Sequence, residues 1–207
     1  MTKENTHKTV IGLTGGIASG KTVASDALGA LGFSVVDADV ISRALTAHGS
    51  AVEKEITDMF PCADANGALD RKALRAVIAA DPAAREKLNA FLHPHIISAV
   101  KAEVAAARSP VVLSAPLLFE TGLDRLCGCT VCVVCPREKR IERVILRDGT
   151  DRQSAAAVVD MQTPDEARAA AADYVLSSDT DLDKFKSAVA EMFLSIAEKF
   201  GAAPRTD

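Results

Sequence analysis

Five runs along the chain are almost wholly apolar and rich in β-branched residues: Thr9–Thr14, Phe33–Asp37, Pro110–Ser114, Thr130–Cys135 and Tyr174–Ser177. Each is short and bounded by turn or charged residues, which is the signature of a strand. The runs are continuous rather than alternating, so they predict strands buried on both faces. Helical patterns separate them: Thr22–Leu31, Pro136–Arg147 and Leu182–Phe200. Strand–helix alternation of this kind predicts an α/β fold, with a parallel sheet of about five strands flanked by helices.

The spacing of the strands is uneven. Between Asp37 and Pro110 no strand pattern occurs, and the segment is rich in Ala, Leu and charge, with breaks at Gly49, Pro61, Asn66-Gly67 and Pro82. It reads as an insertion of three or four helices. Asp81-Pro82 reads as a helix start running to Leu92, and Pro94 is expected to kink or restart it before Ile96–Arg108. A shorter insertion follows Arg147: the turn Asp148-Gly149-Thr150-Asp151, a helix near Ser154–Met161, and a second start at Thr163-Pro164-Asp165-Glu166. The expected organisation is a core of residues 9–40, 109–147 and 173–200, a helical insertion over 41–108, and a short helical lid over 148–172.

Between the first strand and the first helix stand Gly15-Gly16-Ile17-Ala18-Ser19-Gly20-Lys21-Thr22. This is G-x-x-x-x-G-K-[ST], the phosphate-cradling P-loop, in the strand–loop–helix setting that its chemistry requires. Glycines let the backbone turn its N–H groups inward, and the helix N-terminus completes an anion site. Lys21 is expected to reach the terminal phosphates of a nucleotide, and Thr22 to hold Mg²⁺. The sheet is therefore expected to be of the P-loop NTPase type.

Composition narrows this reading. A net charge of −4 gives no electrostatic footprint for nucleic acid. No apolar run has the roughly 18 residues that a membrane span needs. The polar start Met1–Lys8 lacks a leader core, so a cytoplasmic location is expected. Cys127, Cys129, Cys132 and Cys135 mimic metal-ligand spacing. On a strand, however, Cys129 and Cys135 point away from Cys132, so reduced core thiols are expected and no structural metal.

Candidate chemistry clusters at the strand ends. Asp37 and Asp39 follow the second strand. Phosphoryl transfer to an alcohol needs a group to take the hydroxyl proton, and Asp39 is the candidate base; Asp37 is expected to cap the next helix or to support the site. Arg140, Arg143 and Arg147 fall within about 60° of one helix face, where guanidinium charge can neutralise transferring oxygens. Arg147 and Arg143 rank ahead of Arg140. Many P-loop enzymes carry a metal-orienting Asp at or near the position of Ser114, so metal placement is expected to lean on Thr22, with Asp39 through water. His93, before Pro94, is either a substrate ligand or a histidine at a helix bend.

Several runs together resemble one family, the dephospho-coenzyme A kinases: Gly12–Thr22, Val36-Asp37-Ala38-Asp39, Leu69-Asp70-Arg71, His93-Pro94-His95-Ile96, Pro116-Leu117-Leu118-Phe119-Glu120, and Gln162 with Ala172-Asp173-Tyr174-Val175. The resemblance implies a nucleotide core, a helical coenzyme A domain and a lid. It implies ATP with Mg²⁺ and dephospho-coenzyme A as substrates, and transfer to the ribose 3′-hydroxyl. By the same resemblance, Ala18, Ser19, Gly20, Lys21, Thr22 and Val23 form the ATP segment, Thr14 lies near the acceptor, Asp39 is the base, Arg143 and Arg147 are lid arginines, and His93 belongs to the coenzyme A domain. No obligate protein partner is implied. The chain departs from the family pattern after the last strand, where Ser177-Ser178-Asp179 replaces the usual Asn. The alternative reading is another P-loop small-molecule or nucleoside monophosphate kinase. A GTPase switch is disfavoured because no Asn-Lys-x-Asp guanine reader occurs.

Overall fold

The computed structural model describes residues 9–108 and 110–204. Met1–Lys8, read above as lacking a leader core, and Ser109 lie outside the described residues. Among the described residues, no helix is long and apolar enough to cross a membrane. The chain divides into two compact units, one built from Met1–Asp37 and Glu103–Asp207, the other from Ala38–Ala102.

The first unit is built on five parallel strands: β1 (Val10–Gly15), β2 (Ser34–Asp37), β3 (Val111–Ser114), β4 (Cys129–Val134) and β5 (Tyr174–Ser177). They lie in the order β2-β3-β1-β4-β5. β1 pairs with β3 on one side and β4 on the other, with Leu13 opposite both Ser114 and Val131. The connections from β1 run first toward β2 and β3, then toward β4 and β5. The carboxyl end of β1 is thus the switch point where open α/β sheets bind ligands.

One sheet face carries α1 (Lys21–Ala30) and α9 (Leu182–Lys199). Ile11, Leu13, Val131 and Val133 pack there against Leu28, Phe185, Val189 and Phe193. Phe33 meets Phe193 edge to face at 6.2 Å. The opposite face is tight at Gly12, where a Cβ would come within 2.8 Å of Leu118 Cδ2 and 3.0 Å of Cys127 Sγ. A short 3₁₀ helix over Leu123–Leu126 precedes β4. After β4 come α6 (Arg137–Asp148), α7 (Arg152–Asp160) and α8 (Asp165–Ala171). α6 and α7 share a cluster of Ile141, Val144, Ala155 and Val159, and Ile17 and Ala18 of the P-loop pack against it.

The second unit holds α2 (Ala38–Leu45), α3 (Ala51–Met59), α4 (Arg71–Ala80) and most of α5 (Pro82–Ala106). Val52, Ile56, Phe60, Cys62 and Leu88 form its core. Glu53 organises it by accepting from Gly49 N at 2.6 Å and Leu69 N at 2.9 Å. Both backbone donors hold its carboxyl below the ordinary value. Asp70 caps α4 by accepting from Lys72 N and Ala73 N, and Arg71 donates to Thr46 O at 2.9 Å. Of the kink or restart expected at Pro94, the restart does not occur. α5 continues through it: the proline has no N–H to donate and its ring crowds the preceding turn, but the remaining bonds of the long helix carry the chain across.

Candidate active site

The P-loop spans the end of β1 and the start of α1. β1 is buried along its whole length, which fixes where the loop begins. Gly20 caps α1 in a left-handed conformation (φ 104°), and Ala18 sits at φ 59°, a conformation that non-glycine residues seldom adopt. Ser19 N donates to Gly16 O at 3.0 Å, closing a turn inside the loop. The first N–H groups of α1 have no intrahelical acceptor and stand at its positive end. The arrangement is suited to receive phosphate.

Lys21 is held by groups from the neighbouring strands. Its ammonium donates to Ser114 Oγ at 2.8 Å and lies 3.8 Å from Asp37 Oδ2. Ser114 Oγ donates to Asp37 Oδ2 at 3.2 Å and accepts from Ser25 Oγ at 3.3 Å. Ser114, which the sequence marked only as lacking a carboxylate, is the hub joining β2, β3 and α1. Asp37 ends β2 with its carboxylate in this network. Thr22 is exposed in the first turn of α1. A threonine hydroxyl is the kind of hard-oxygen donor that Mg²⁺ takes.

The remaining candidates are distributed as follows. Thr14 is fully buried and donates to Pro116 O at 3.2 Å, tying β1 to the loop after β3. Val23 packs against the main core. Asp39 lies in the first turn of α2, two residues beyond Asp37. His93 lies half-buried in α5, one residue before Pro94. Arg147 is exposed and pairs with Asp148 through two bonds of 2.7 and 2.8 Å. Arg143 donates to Ala18 O at 3.0 Å, Ser178 Oγ at 2.9 Å and Ser178 O at 3.0 Å. Arg140 is buried and donates to Ile17 O at 2.9 Å, Asp165 Oδ1 at 2.9 Å and Gln162 Oε1 at 3.2 Å. Ser178 and Gln162 thus join the site. The only signals for them in the sequence were the position after β5 and the Gln162 of the family pattern.

A cavity of about 560 Å³ is lined by residues including Arg137, Arg140, Asp160, Gln162 and Asp165. Lys21, Thr22 and Asp37 do not line it. The thiols are core groups: burial pushes Cys127 up to about 12, and Cys129 and Cys132 up to about 11. Among the described residues, no group of three His, Cys, Asp or Glu residues is placed to hold a metal ion.

The family model described as dephospho-CoA kinase matches residues 9–184. A dephospho-CoA kinase of Burkholderia thailandensis is 41% identical over 205 residues, covering 94% of this chain and 98% of that protein. One from Aromatoleum aromaticum is 41% identical over 182 residues, covering 86% of this chain and 89% of that protein. A solved protein from Thermus thermophilus superposes with a TM-score of 0.80 at 31% identity, covering 92% of this chain and 98% of its own. The match takes in the P-loop, the Lys21–Ser114–Asp37 network and the helical unit together, and on this ground the chain belongs to the dephospho-CoA kinase family.

Proposed function

We propose that this chain transfers the γ-phosphoryl group of ATP to the ribose 3′-hydroxyl of dephospho-coenzyme A, giving coenzyme A and ADP. Family membership supplies the substrates. The observation that carries the reading in this molecule is the P-loop with its lysine already tethered between Ser114 and Asp37. Phosphoryl transfer asks little covalent chemistry of a protein; positioning and charge stabilisation do most of the work. Loop N–H groups and the α1 N-terminus bind the phosphates. Lys21, held within 3.8 Å of Asp37, exchanges Ser114 for phosphate oxygen when nucleotide enters.

Bound with ATP, Mg²⁺ would supply positive charge against the charge that develops on the transferring phosphate. Thr22 is the proposed ligand, with an aspartate of the 37–39 segment assisting through water. Asp39 is the proposed base that takes the acceptor hydroxyl proton. The helical unit is the proposed coenzyme A-binding part, with His93 and Thr14 as proposed acceptor contacts, and residues 148–172 the proposed lid. Arg147 stays a proposed catalytic arginine, because its partner Asp148 is an exposed neighbour that a phosphate readily replaces.

A substrate panel tests the proposal. ADP release from ATP and Mg²⁺ is expected with dephospho-coenzyme A, and not with nucleosides or nucleoside monophosphates. Asp39→Asn is expected to retain ATP binding and lose turnover by about 10²-fold or more. Release driven equally well by a nucleoside monophosphate would move the chain to the alternative kinase class.

A further inference from the structure

Three successive P-loop carbonyls are each held by a side chain from outside the loop. Ile17 O accepts from Arg140 Nε at 2.9 Å, Ala18 O from Arg143 Nη1 at 3.0 Å, and Ser19 O from Ser178 Oγ at 2.5 Å. Ile17 N in turn donates to Gln162 Oε1 at 2.6 Å, so both polar groups of Ile17 are engaged by α6 and the segment after α7. A trans peptide points its carbonyl and the following N–H to opposite sides. Fixing Ile17 O therefore turns Ala18 N–H the other way, and fixing Ser19 O does the same for Gly20 N–H. The peptide between them closes the Ser19–Gly16 turn.

We propose that Arg140 is a positioning residue: with Gln162 it clamps Ile17 and so aims the loop's phosphate-binding N–H groups. This inference rests on the ATP-binding reading above. It assigns Arg140 a task other than reaching the phosphates. All three of its nitrogens are bonded to protein, and its side chain is only 6% exposed. Ala18 gives the clamp a reason. A left-handed alanine costs about 1–2 kcal/mol and persists where surrounding structure over-determines it. The clamp, together with the packing of Ile17 and Ala18 against the α6–α7 cluster, supplies that constraint. Gly16 completes the fit: a Cβ there would stand 2.5 Å from Arg140 Nη2.

The test compares Arg140→Met, Gln162→Leu and Gln162→Glu with the wild-type chain. Calorimetry measures binding of Mg-ATP and, separately, of dephospho-coenzyme A; thermal melting reports folding. The expected result for Arg140→Met and Gln162→Leu is ATP binding weakened about tenfold or more, the scale of losing one charge-assisted or buried bond. Dephospho-coenzyme A binding should stay within about twofold. Gln162→Glu keeps an acceptor for Ile17 N and for Arg140, so it should restore most of the ATP affinity. A purely structural role would lower the melting temperature and weaken both ligands alike, with no difference between the two Gln162 variants, and would overturn the proposal. If Arg140→Met does not fold, the Gln162 pair decides. Wild-type chain that binds no ATP overturns both readings; folded variants that bind ATP as tightly as wild type overturn this one alone.

Discussion

Gly15→Ala is the substitution whose effect the loop geometry fixes most closely. A Cβ at residue 15 would lie 2.5 Å from Ser19 Oγ and 2.7 Å from Val133 O, and such contacts essentially never fall under 3.0 Å. The hydroxyl must therefore retreat by at least 0.5 Å and the carbonyl by 0.3 Å. Ser19 is fully buried, and Val133 is the β4 partner of Gly15, so neither moves without opening the loop or the end of the β1–β4 ladder. Overpacking of this kind costs about 1–3 kcal/mol. If the cost falls on the phosphate-binding conformation, ATP affinity drops about 5- to 150-fold. Gly67→Ala is the matched control. Gly67 is left-handed (φ 80°), with nothing within 4 Å of a Cβ, and it belongs to the helical unit. It should cost stability of about 1–2 kcal/mol and leave ATP binding unchanged. Calorimetric titration with Mg-ATP, alongside thermal unfolding, measures both. A Gly15→Ala chain that binds ATP within twofold of wild type and melts at the same temperature refutes the account of the loop.

Phe193→Ala removes a fully buried ring that packs edge to face on Phe33, and should destabilise the first unit by about 3–5 kcal/mol in urea unfolding; a loss under about 1 kcal/mol would contradict the assigned core. Burial raises Cys127 to about 12 and Cys129 and Cys132 to about 11. At pH 8 these thiols should be alkylated far more slowly in native than in unfolded chain, and equal rates would contradict their placement. The backbone N–H groups of Ala73 and Lys72 hold the Asp70 carboxyl below its ordinary 3.8. A depressed carboxyl contributes stability that is fully present above 3.8 and is lost as pH falls through the lower folded value. Asp70→Asn keeps the cap, so its acid-unfolding profile should be flatter than that of wild type; coincident profiles would remove Asp70 from the acid response.

The strands were legible because they are buried on both faces. Continuous runs such as Val111–Ser114 and Cys129–Val134 leave little choice of boundary, and the expected limits differ from the observed ones by a residue or so. The P-loop was legible because its chemistry is local. Pro94 left a kink and a restart both open because a proline is a local signal, whereas the continuity of α5 is decided by the whole helix. The spacing of Arg140, Arg143 and Arg147 placed them on one face of α6, but not what lies across from that face. Arg140 meets Ile17 across 123 residues of chain, and Arg143 meets Ser178 across 35. Contacts that distant depend on the sheet order, which strand patterns alone do not give. Ser114 was judged by the carboxylate it lacks, because the value of a hydroxyl between Lys21 and Asp37 emerges only when β2 and β3 lie side by side.

The most direct measurement follows the label of γ-³²P-ATP. Incubated with Mg²⁺ and dephospho-coenzyme A, the wild-type chain should move the label onto the ribose 3′-oxygen of the acceptor, in step with ADP formation. Lys21→Ala should lose that transfer by at least about a hundredfold. Label that stays on ATP, passes to water regardless of acceptor, or moves at the wild-type rate without Lys21 would contradict the account.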